Sequence, residues 1–428
     1  MLTVQQALEM ILADTSLIHR PSLHTETVDL LNARNRVLAA DQIATIDVPP
    51  WDNSAMDGYA LFINEKVTSD LETNNLLTVS QIIPAGVFPL ALQPGTAARI
   101  FTGAPIPAGA NAVEMQENTK KENDCVTFLQ KIKAGANIRR RGEDIKKDSV
   151  IVKAGVVLKS SHLGLLASVG IKNIPVTQKL RVVVLSTGDE LAEPGSVLKD
   201  GQIYNSNRYL LLGLLQEMGF ETMDGGMIED DAELTKKRLL ELSAQGDVII
   251  SSGGVSVGEE DHVKAALEVI GKLNLWKIAV KPGKPLAFGS INNSTFFGLP
   301  GNPVSAFVTF LIFVKPYLLK AQGATNIQPQ LIEAIADFDW PPFRSAQGAS
   351  HTLHGGNLPF TERSRSERKP IQREEYLRAR LKEDGKSVEI YPNQSSGALS
   401  SVVWANGLAV APVGAVISRG DKIKFLAV

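Results

Sequence analysis

One cysteine, Cys125, in 428 residues excludes an intrachain disulfide and any zinc site built from cysteines. Excess charge of either sign is also missing: 44 Lys and Arg against 46 Asp and Glu give a formal net charge of −2. No global field therefore recruits nucleic acid or an anionic membrane surface. Long apolar runs are absent as well. The longest, A-F-V-T-F-L-I-F-V (306–314), stops at Lys315-Pro316 and falls short of a membrane span. Histidines are few, and His19, His24 and His162 are too scattered to read as a ligand set. Arg139, Arg140 and Arg141 lack the interleaved aromatics of a nucleic-acid patch.

What remains is a soluble globular composition, 44% hydrophobic and 21% charged. The length suits about three domains. The start, M-L-T-V-Q-Q-A-L-E-M-I-L-A-D, carries Glu9 and Asp14 and no basic leader, so it reads as a helix rather than a signal peptide. Thr3 with Gln6 predicts a capping box ahead of an apolar stripe at Val4, Ala7, Leu8 and Ile11. The expected compartment is the cytoplasm.

The pattern changes several times along the chain. Residues 1–50 and 138–178 read as an extended N-terminal region, with a short helix over S-S-H-L-G-L-L-A-S-V-G closed by Gly170. Between them, 51–137 holds short apolar runs punctuated by turns, a small all-β inserted module. Over 179–326 strand-like runs (R-V-V-V-L, D-V-I-I-S, L-W-K-I-A-V, T-F-F-G-L) alternate with helix-like ones, which predicts a parallel α/β domain covered on both faces. Residues 327–428 return to a β pattern around a polar insertion near 345–370.

Open α/β sheets bind ligands at the carboxyl ends of their strands, and here those ends are chemically loaded. They read S-T-G-D-E (186–190), E-D-D (229–231), S-S-G-G-V-S-V-G-E-E-D (251–261), the stretch from Lys277 to K-P-G-K (281–284), and G-L-P-G-N-P-V-S-A (298–306). Ser252, Gly253, Gly254 and Ser256 lie in a loop able to form an anion nest. In the last loop Asn302 can cap a helix with Pro303 at its first position, whose free N–H groups favour an anion.

A nest for anions that ends in carboxylates is a contradiction unless a cation intervenes. Glu190, Asp230 and Asp261 come from separate strand ends. Together they suggest Mg²⁺, which favours one or two carboxylates plus substrate phosphate oxygens. Taken singly, Asp230 and Asp261 read sooner as caps of the helices that follow them; taken together, as a metal site. Lys277 and Lys281 share strand parity, as a clamp on an oxyanion would, although solvated surface lysine is the plainer reading of either alone. G-V-S-V-G (254–258) also matches the nucleophile elbow of a serine hydrolase. Against that rival, His262 is adjacent in sequence and His351 and His354 fall in the polar insertion, which leaves no well-placed base.

These loops make the chain resemble the MoeA family, the molybdopterin molybdenumtransferases. The motifs that carry the resemblance are D-N-S-A-M-D-G-Y-A (52–60), F-T-G-A-P-I-P-A-G-A (101–110), N-I-R-R-R-G-E-D-I (137–145), L-S-T-G-D-E-L (185–191), 251–261, K-P-G-K-P (281–285) and G-L-P-G-N-P-V-S (298–305), in the family's order. The resemblance implies a multidomain α/β protein. Its MogA-like three-layer domain would be joined to an extended N-terminal region, an inserted β module and a C-terminal β-barrel-like domain. It implies insertion of molybdate, as co-substrate, into adenylylated molybdopterin, with Mg²⁺ as cofactor and AMP as product. It assigns Asp57, Thr102 and Asp144 to the active site, with Glu190, Asp230 and Asp261 as acids and the last two as the better Mg²⁺ ligands. Lys277, Lys281, Pro300 and Pro303 match the molybdate and phosphate end, and Arg378 matches the family's arginine. Ser396 stands in Q-S-S-G (394–397), where the family often has Q-G-S-H. A homodimer with composite sites, and an upstream MogA-like adenylyltransferase as partner, are further implications. A gephyrin-like scaffold without turnover and a MogA-like adenylyltransferase are the competing readings. The intact acids and Lys281 weigh against the first, and the extra modules against the second.

Overall fold

Thr3 and Gln6 cap the first helix, α1 (Val4–Ala13), by reciprocal hydrogen bonds of 3.2 and 3.0 Å, as their spacing predicts. The computed structural model describes residues 1–14, 24–64, 76–228, 231–254, 262–342 and 370–428. In the N-terminal region Thr25–Asp29 pairs antiparallel with Asn173–Thr177, beside helix α2 (Ser160–Ser168).

The inserted module is a six-stranded sheet of β1 (Gly58–Leu61), β2 (Leu76–Ile83), β3 (Thr96–Ile100), β4 (Ala112–Met115), β5 (Thr119–Glu122) and β6 (Cys125–Phe128), in the order β4-β1-β3-β2-β6-β5. Alternate residues feed two cores, Tyr59 and Leu61 to one and Ala60 to the other. Where the chain enters and leaves the module, Arg140 is paired with Asp52 at 2.7 Å and Arg141 with Asp47 at 2.6 Å. The arginine run is thus spent on joining modules.

The α/β domain follows the same alternation. Its elements are β7 (Arg181–Thr187), α3 (Ser206–Glu217), β8 (Glu221–Ile228), α4 (Ala232–Gln245), β9 (Val248–Ser252), α5 (His262–Ile270) and β10 (Gly271–Lys277). After them come β11 (Val280–Lys281), β12 (Pro285–Ile291), β13 (Ser294–Leu299) and a long helix, α6 (Pro303–Ala321). Val182, Val184 and Ile250 pack with α1, α3 and α6 on one face. Val183, Leu185 and Ile249 pack with α4 and α5 on the other, which makes three layers.

Two expectations are revised here. The sheet order is β8-β7-β9-β13-β12-β10, and it is mixed: β12 runs antiparallel to both its neighbours, β13 and β10, while the other five strands share one direction. The reason is local: β12 and β13 are joined by Asn292 and Asn293 alone, with Asn292 at φ 51°, a hairpin connection that no crossover helix could replace. Nor does the helix end with the apolar run at Lys315-Pro316. A π-helical turn over Phe310–Val314 precedes Pro316, which has no N–H to give, and the helix continues to Ala321. Among the described residues α6 is the one helix long and apolar enough to cross a membrane, but 83% of that stretch is buried, the mark of a core helix.

The C-terminal domain closes β14 (Leu331–Ala336), β15 (Glu374–Leu381), β16 (Ser387–Ile390), β17 (Gly407–Ala411) and β18 (Lys422–Ala427) into a 5-strand barrel, with helix α7 (Ser400–Trp404) alongside. The short β11 leaves the α/β domain and pairs parallel with β15, Lys281 opposite Glu375. Most of the polar insertion near 345–370 lies outside the described residues.

Candidate functional site

A cleft of about 760 Å³ opens where the carboxyl ends of the sheet meet the barrel. Its floor comes from β7 and β9. Gly253 and Gly254, at φ 94° and 64°, turn the chain away from Ser252. A Cβ on Gly253 would lie 2.5 Å from the Thr187 carbonyl oxygen, and one on Gly254 2.6 Å from Thr187 Oγ1. No other residue fits this nest wall. The Asn207 amide donates to Ser252 Oγ at 2.8 Å and to the Gly301 carbonyl at 2.6 Å, tying α3, β9 and the G-N-P loop together.

Beneath the cleft, Thr187 Oγ1, Ser251 Oγ, Asn205 Nδ2 and Asn207 Oδ1 are buried without a hydrogen-bond partner among the described residues. Leaving such an atom unpaired costs about 1–3 kcal/mol. Four at one end of one sheet mark a place shaped for something other than stability.

Of the three acids, Glu190 lines the cleft, its carboxylate held over Gly188 where an added Cβ would meet it at 2.5 Å. Asp230, Asp261 and the elbow serine Ser256 lie outside the described residues. Among the described residues no group of three or more His, Cys, Asp or Glu side chains gathers as a metal site. The helix cap after β8 is supplied by Asp231, which accepts from the Leu234 N–H at 2.7 Å, and not by the Asp230 that the sequence offers for it.

The cationic wall is made by Lys281, Lys284 and Arg373. The expected Lys277–Lys281 clamp is corrected: Lys277 is exposed at the end of β10 and does not line the cleft, while Lys281 belongs to β11 in the other sheet. Shared parity meant nothing because the strand breaks between them. Pro300, Asn302 and Ser305 also line the cleft; Pro303 does not.

The anion cradle at the start of α6 is likewise revised. Asn302 stands at the cap position but makes no side-chain cap bond, and the Val304 N–H donates to the Ser396 carbonyl at 3.1 Å. A backbone carbonyl from the barrel thus takes a donor that was expected to face an anion. Ser396 itself lines the cleft, with Ser395 and Gln394.

Arg378 is not a wall residue. It is 1% exposed, gives Nη2 to the Ser395 carbonyl at 3.1 Å and Nε to Ser401 Oγ at 3.0 Å. Burial pushes its pKa down to about 10, which leaves it charged at neutral pH. It therefore holds the 394–396 loop from behind and adds positive potential there.

Asp57, Thr102 and Asp144 do not line this cleft. Asp57 Oδ1 accepts from the Thr102 N–H and from Thr102 Oγ1, both at 2.7 Å. Those two bonds, with the Arg99 charge, hold the Asp57 carboxyl below its ordinary pKa. Asp144 is exposed and gives its N–H to the Val48 carbonyl at 3.0 Å. Because the Asp57 pKa is depressed, the pair's contribution is fully present above about pH 4 and is lost as pH falls through the lowered value. Thr102→Val should move the Asp57 titration midpoint upward, read from its carboxyl ¹³C shift. An unmoved midpoint would show that the hydroxyl bond does not act on the acid.

Sequence reasoning did not single out Thr187, Lys284, Ser305, Arg373, Gln394 or Ser395 as site residues. Thr187, Lys284, Ser305, Gln394 and Ser395 were visible inside quoted motifs. For Arg373 no local signal existed, since the barrel must close before it faces the sheet.

Three regions of the chain match known family regions: the MoeA N-terminal region (domain I and II) over residues 2–170, a probable molybdopterin binding domain over 183–320 and the MoeA C-terminal region (domain IV) over 363–428. A molybdopterin molybdenumtransferase of Haemophilus influenzae is 46% identical over 315 residues, 73% of this chain and 77% of the relative. One from Nostoc is 34% identical over 94% of this chain and 88% of its own. The crystal structure of the molybdopterin biosynthesis MoeA protein from Pyrococcus horikoshii OT3 superposes with a TM-score of 0.77 at 29% identity, covering 100% of both chains.

Proposed function

The chain belongs to the MoeA family and is a transferase of molybdenum cofactor biosynthesis, and we propose that it inserts molybdate into adenylylated molybdopterin with Mg²⁺-dependent release of AMP. The observation that carries this reading is the charge of the cleft. Lys281, Lys284 and Arg373 face it against one lining carboxylate among the described residues, that of Glu190, beside a nest wall made by Gly253 and Gly254. A doubly charged oxyanion and a nucleotide phosphate are what such a wall attracts.

In this reading Lys281, Lys284 and Arg373 bind and orient the molybdate substrate and the phosphates, and the 394–396 loop closes the opposite side. Fixed cations of this kind lower the barrier by meeting charge where it develops. A Mg²⁺ ion fits the donor set, because the Glu190 carboxylate is turned to the cleft and one such group plus substrate oxygens is a common Mg²⁺ shell. Bound there, the metal would neutralise and polarise the phosphoryl group. Glu190, with Asp230 and Asp261 by resemblance, would hold it.

Asp57 and Thr102 require a further proposal. They form a prepared pair in the β module yet do not line the cleft of their own chain. A homodimer in which one copy's module faces the other's cleft would bring them in. A MogA-like adenylyltransferase would supply the adenylylated substrate.

The purified protein is expected to release AMP from adenylylated molybdopterin only when molybdate and Mg²⁺ are both present. Glu190→Gln should lower turnover by about tenfold and raise the Mg²⁺ concentration needed for half-maximal rate. AMP release indifferent to both molybdate and Mg²⁺ would sink the proposal.

A further inference from the structure

Glu375 is a carboxylate that the proposed chemistry does not use, the second residue of barrel strand β15. Its side chain is 11% exposed, against 55% for its partner Lys281. Glu375 Oε1 accepts from Lys281 Nζ at 3.0 Å, and Oε2 accepts from Trp340 Nε1 at 2.8 Å. Both oxygens are thereby fixed. The Trp340 backbone is itself locked to Ile417, donating at 2.9 Å and accepting at 2.7 Å. Lys281 Nζ also stands 5.9 Å from the centre of the Trp340 ring, within reach of a cation–π attraction. The pairing of β11 with β15 sets Lys281 opposite Glu375, and the Glu374 N–H donates to the Ala279 carbonyl at 3.2 Å. Lys284 and Arg373, the other cations of the wall, have no carboxylate at ion-pair distance among the described residues.

We propose that Glu375, backed by Trp340, is the positioning residue for Lys281, so that the C-terminal barrel sets where this ammonium stands in the cleft. The inference rests on the reading of Lys281 as an oxyanion-binding group. A free lysine has many rotamers, and only some present Nζ to a ligand. The carboxylate removes that freedom. It also acts against the ligand, because the carboxylate engages the Lys281 ammonium and competes with a bound anion for its donors and charge. Holding the lysine and weakening the anion are opposite effects of one group, and they separate in kinetics. Neutralising Glu375 should tighten molybdate while slowing turnover, since a bound anion next to a wandering lysine is seldom aligned. A group that merely stabilises the fold would worsen both constants together.

The test compares the full-length protein with Glu375→Gln, Glu375→Asp and Trp340→Phe. AMP release is measured over a range of molybdate concentrations, and binding of molybdate alone by calorimetry. Glu375→Gln should lower kcat about tenfold and lower the molybdate KM and the calorimetric Kd about fivefold. Glu375→Asp should restore most of kcat, and Trp340→Phe should fall between. In a Lys281→Ala background Glu375→Gln should change neither Kd nor kcat further. Unchanged constants in Glu375→Gln, or a joint loss of kcat and affinity with lowered thermal stability that Asp does not rescue, would overturn the proposal. If the parent protein releases no AMP at all, the functional reading fails instead. Calorimetry then still decides: tightening in Glu375→Gln that disappears with Lys281→Ala supports the positioning role, and no tightening overturns it.

Discussion

Alanine at Gly58 is expected to cost about 3 kcal/mol of stability, near the upper end for overpacking a core, and to reduce turnover with it. A Cβ there would stand 1.9 Å from the Glu114 carbonyl oxygen and 2.8 Å from its carbonyl carbon. The neighbouring strand cannot step aside. Glu114 is 3% exposed, and its carboxylate accepts from Asn118 at 2.7 Å and Gln130 at 2.9 Å. Gly58 also accepts from Arg99 at 3.2 Å and follows Asp57 directly. Any shift of β1 is therefore passed to the Asp57–Thr102 pair. Thermal unfolding of Gly58→Ala measures the first effect and AMP release the second. Gly164→Ala is the control: it sits in α2 with nothing within 4 Å of its added Cβ, so it should be neutral or gain up to about 1 kcal/mol from helix propensity. Equal melting temperatures for the two variants would refute the steric argument.

Lys281→Ala should lower turnover by roughly 10²–10³, the usual loss when one donor aimed at developing negative charge is removed. Stability should change little, because the Lys281 side chain is 55% exposed and Trp340 still donates to the Glu375 carboxylate it leaves behind. The contrast with Lys277 sharpens the test. Both lysines carried the same expectation, yet Lys277 is exposed away from the cleft, and Lys277→Ala should keep turnover within about threefold of the parent. Steady-state AMP release under saturating molybdate distinguishes them. A Lys281→Ala protein as fast as Lys277→Ala would remove the cationic wall from the mechanism.

That pair of lysines shows where legibility ended. Their spacing and the apolar residues between them read as one buried strand. In the folded chain Ile278 bridges to Leu2 and Lys281 pairs with the barrel, so the segment serves two sheets in five residues. Arg378 is a similar case: a position matched to the family's arginine is buried behind the 394–396 loop instead of lining the cleft. Its own barrel's closure decides that, and closure is not a local property. The N-cap at α6 was read correctly in place and incorrectly in use, because the group that takes the Val304 N–H arrives from residue 396.

By itself the sequence determined the parts whose cause is local. Thr3 and Gln6 make the first cap; alternation in R-V-V-V-L assigns each valine to a face of the sheet; glycine at 253 and 254 permits a turn that other residues cannot follow. Motif order was enough to point to the family. Only the tertiary structure decided which cations share a wall, that Arg373 and the 394–396 loop complete it, that Glu375 rather than solvent holds Lys281, and that Asp57 and Thr102 form a pair apart from the cleft. Short-range order follows from dihedral preference and periodicity along neighbouring residues. Electrostatic geometry depends on side chains far apart in sequence, as Lys281 and Glu375 are at 94 positions, brought to 3.0 Å by packing that no stretch of chain encodes alone.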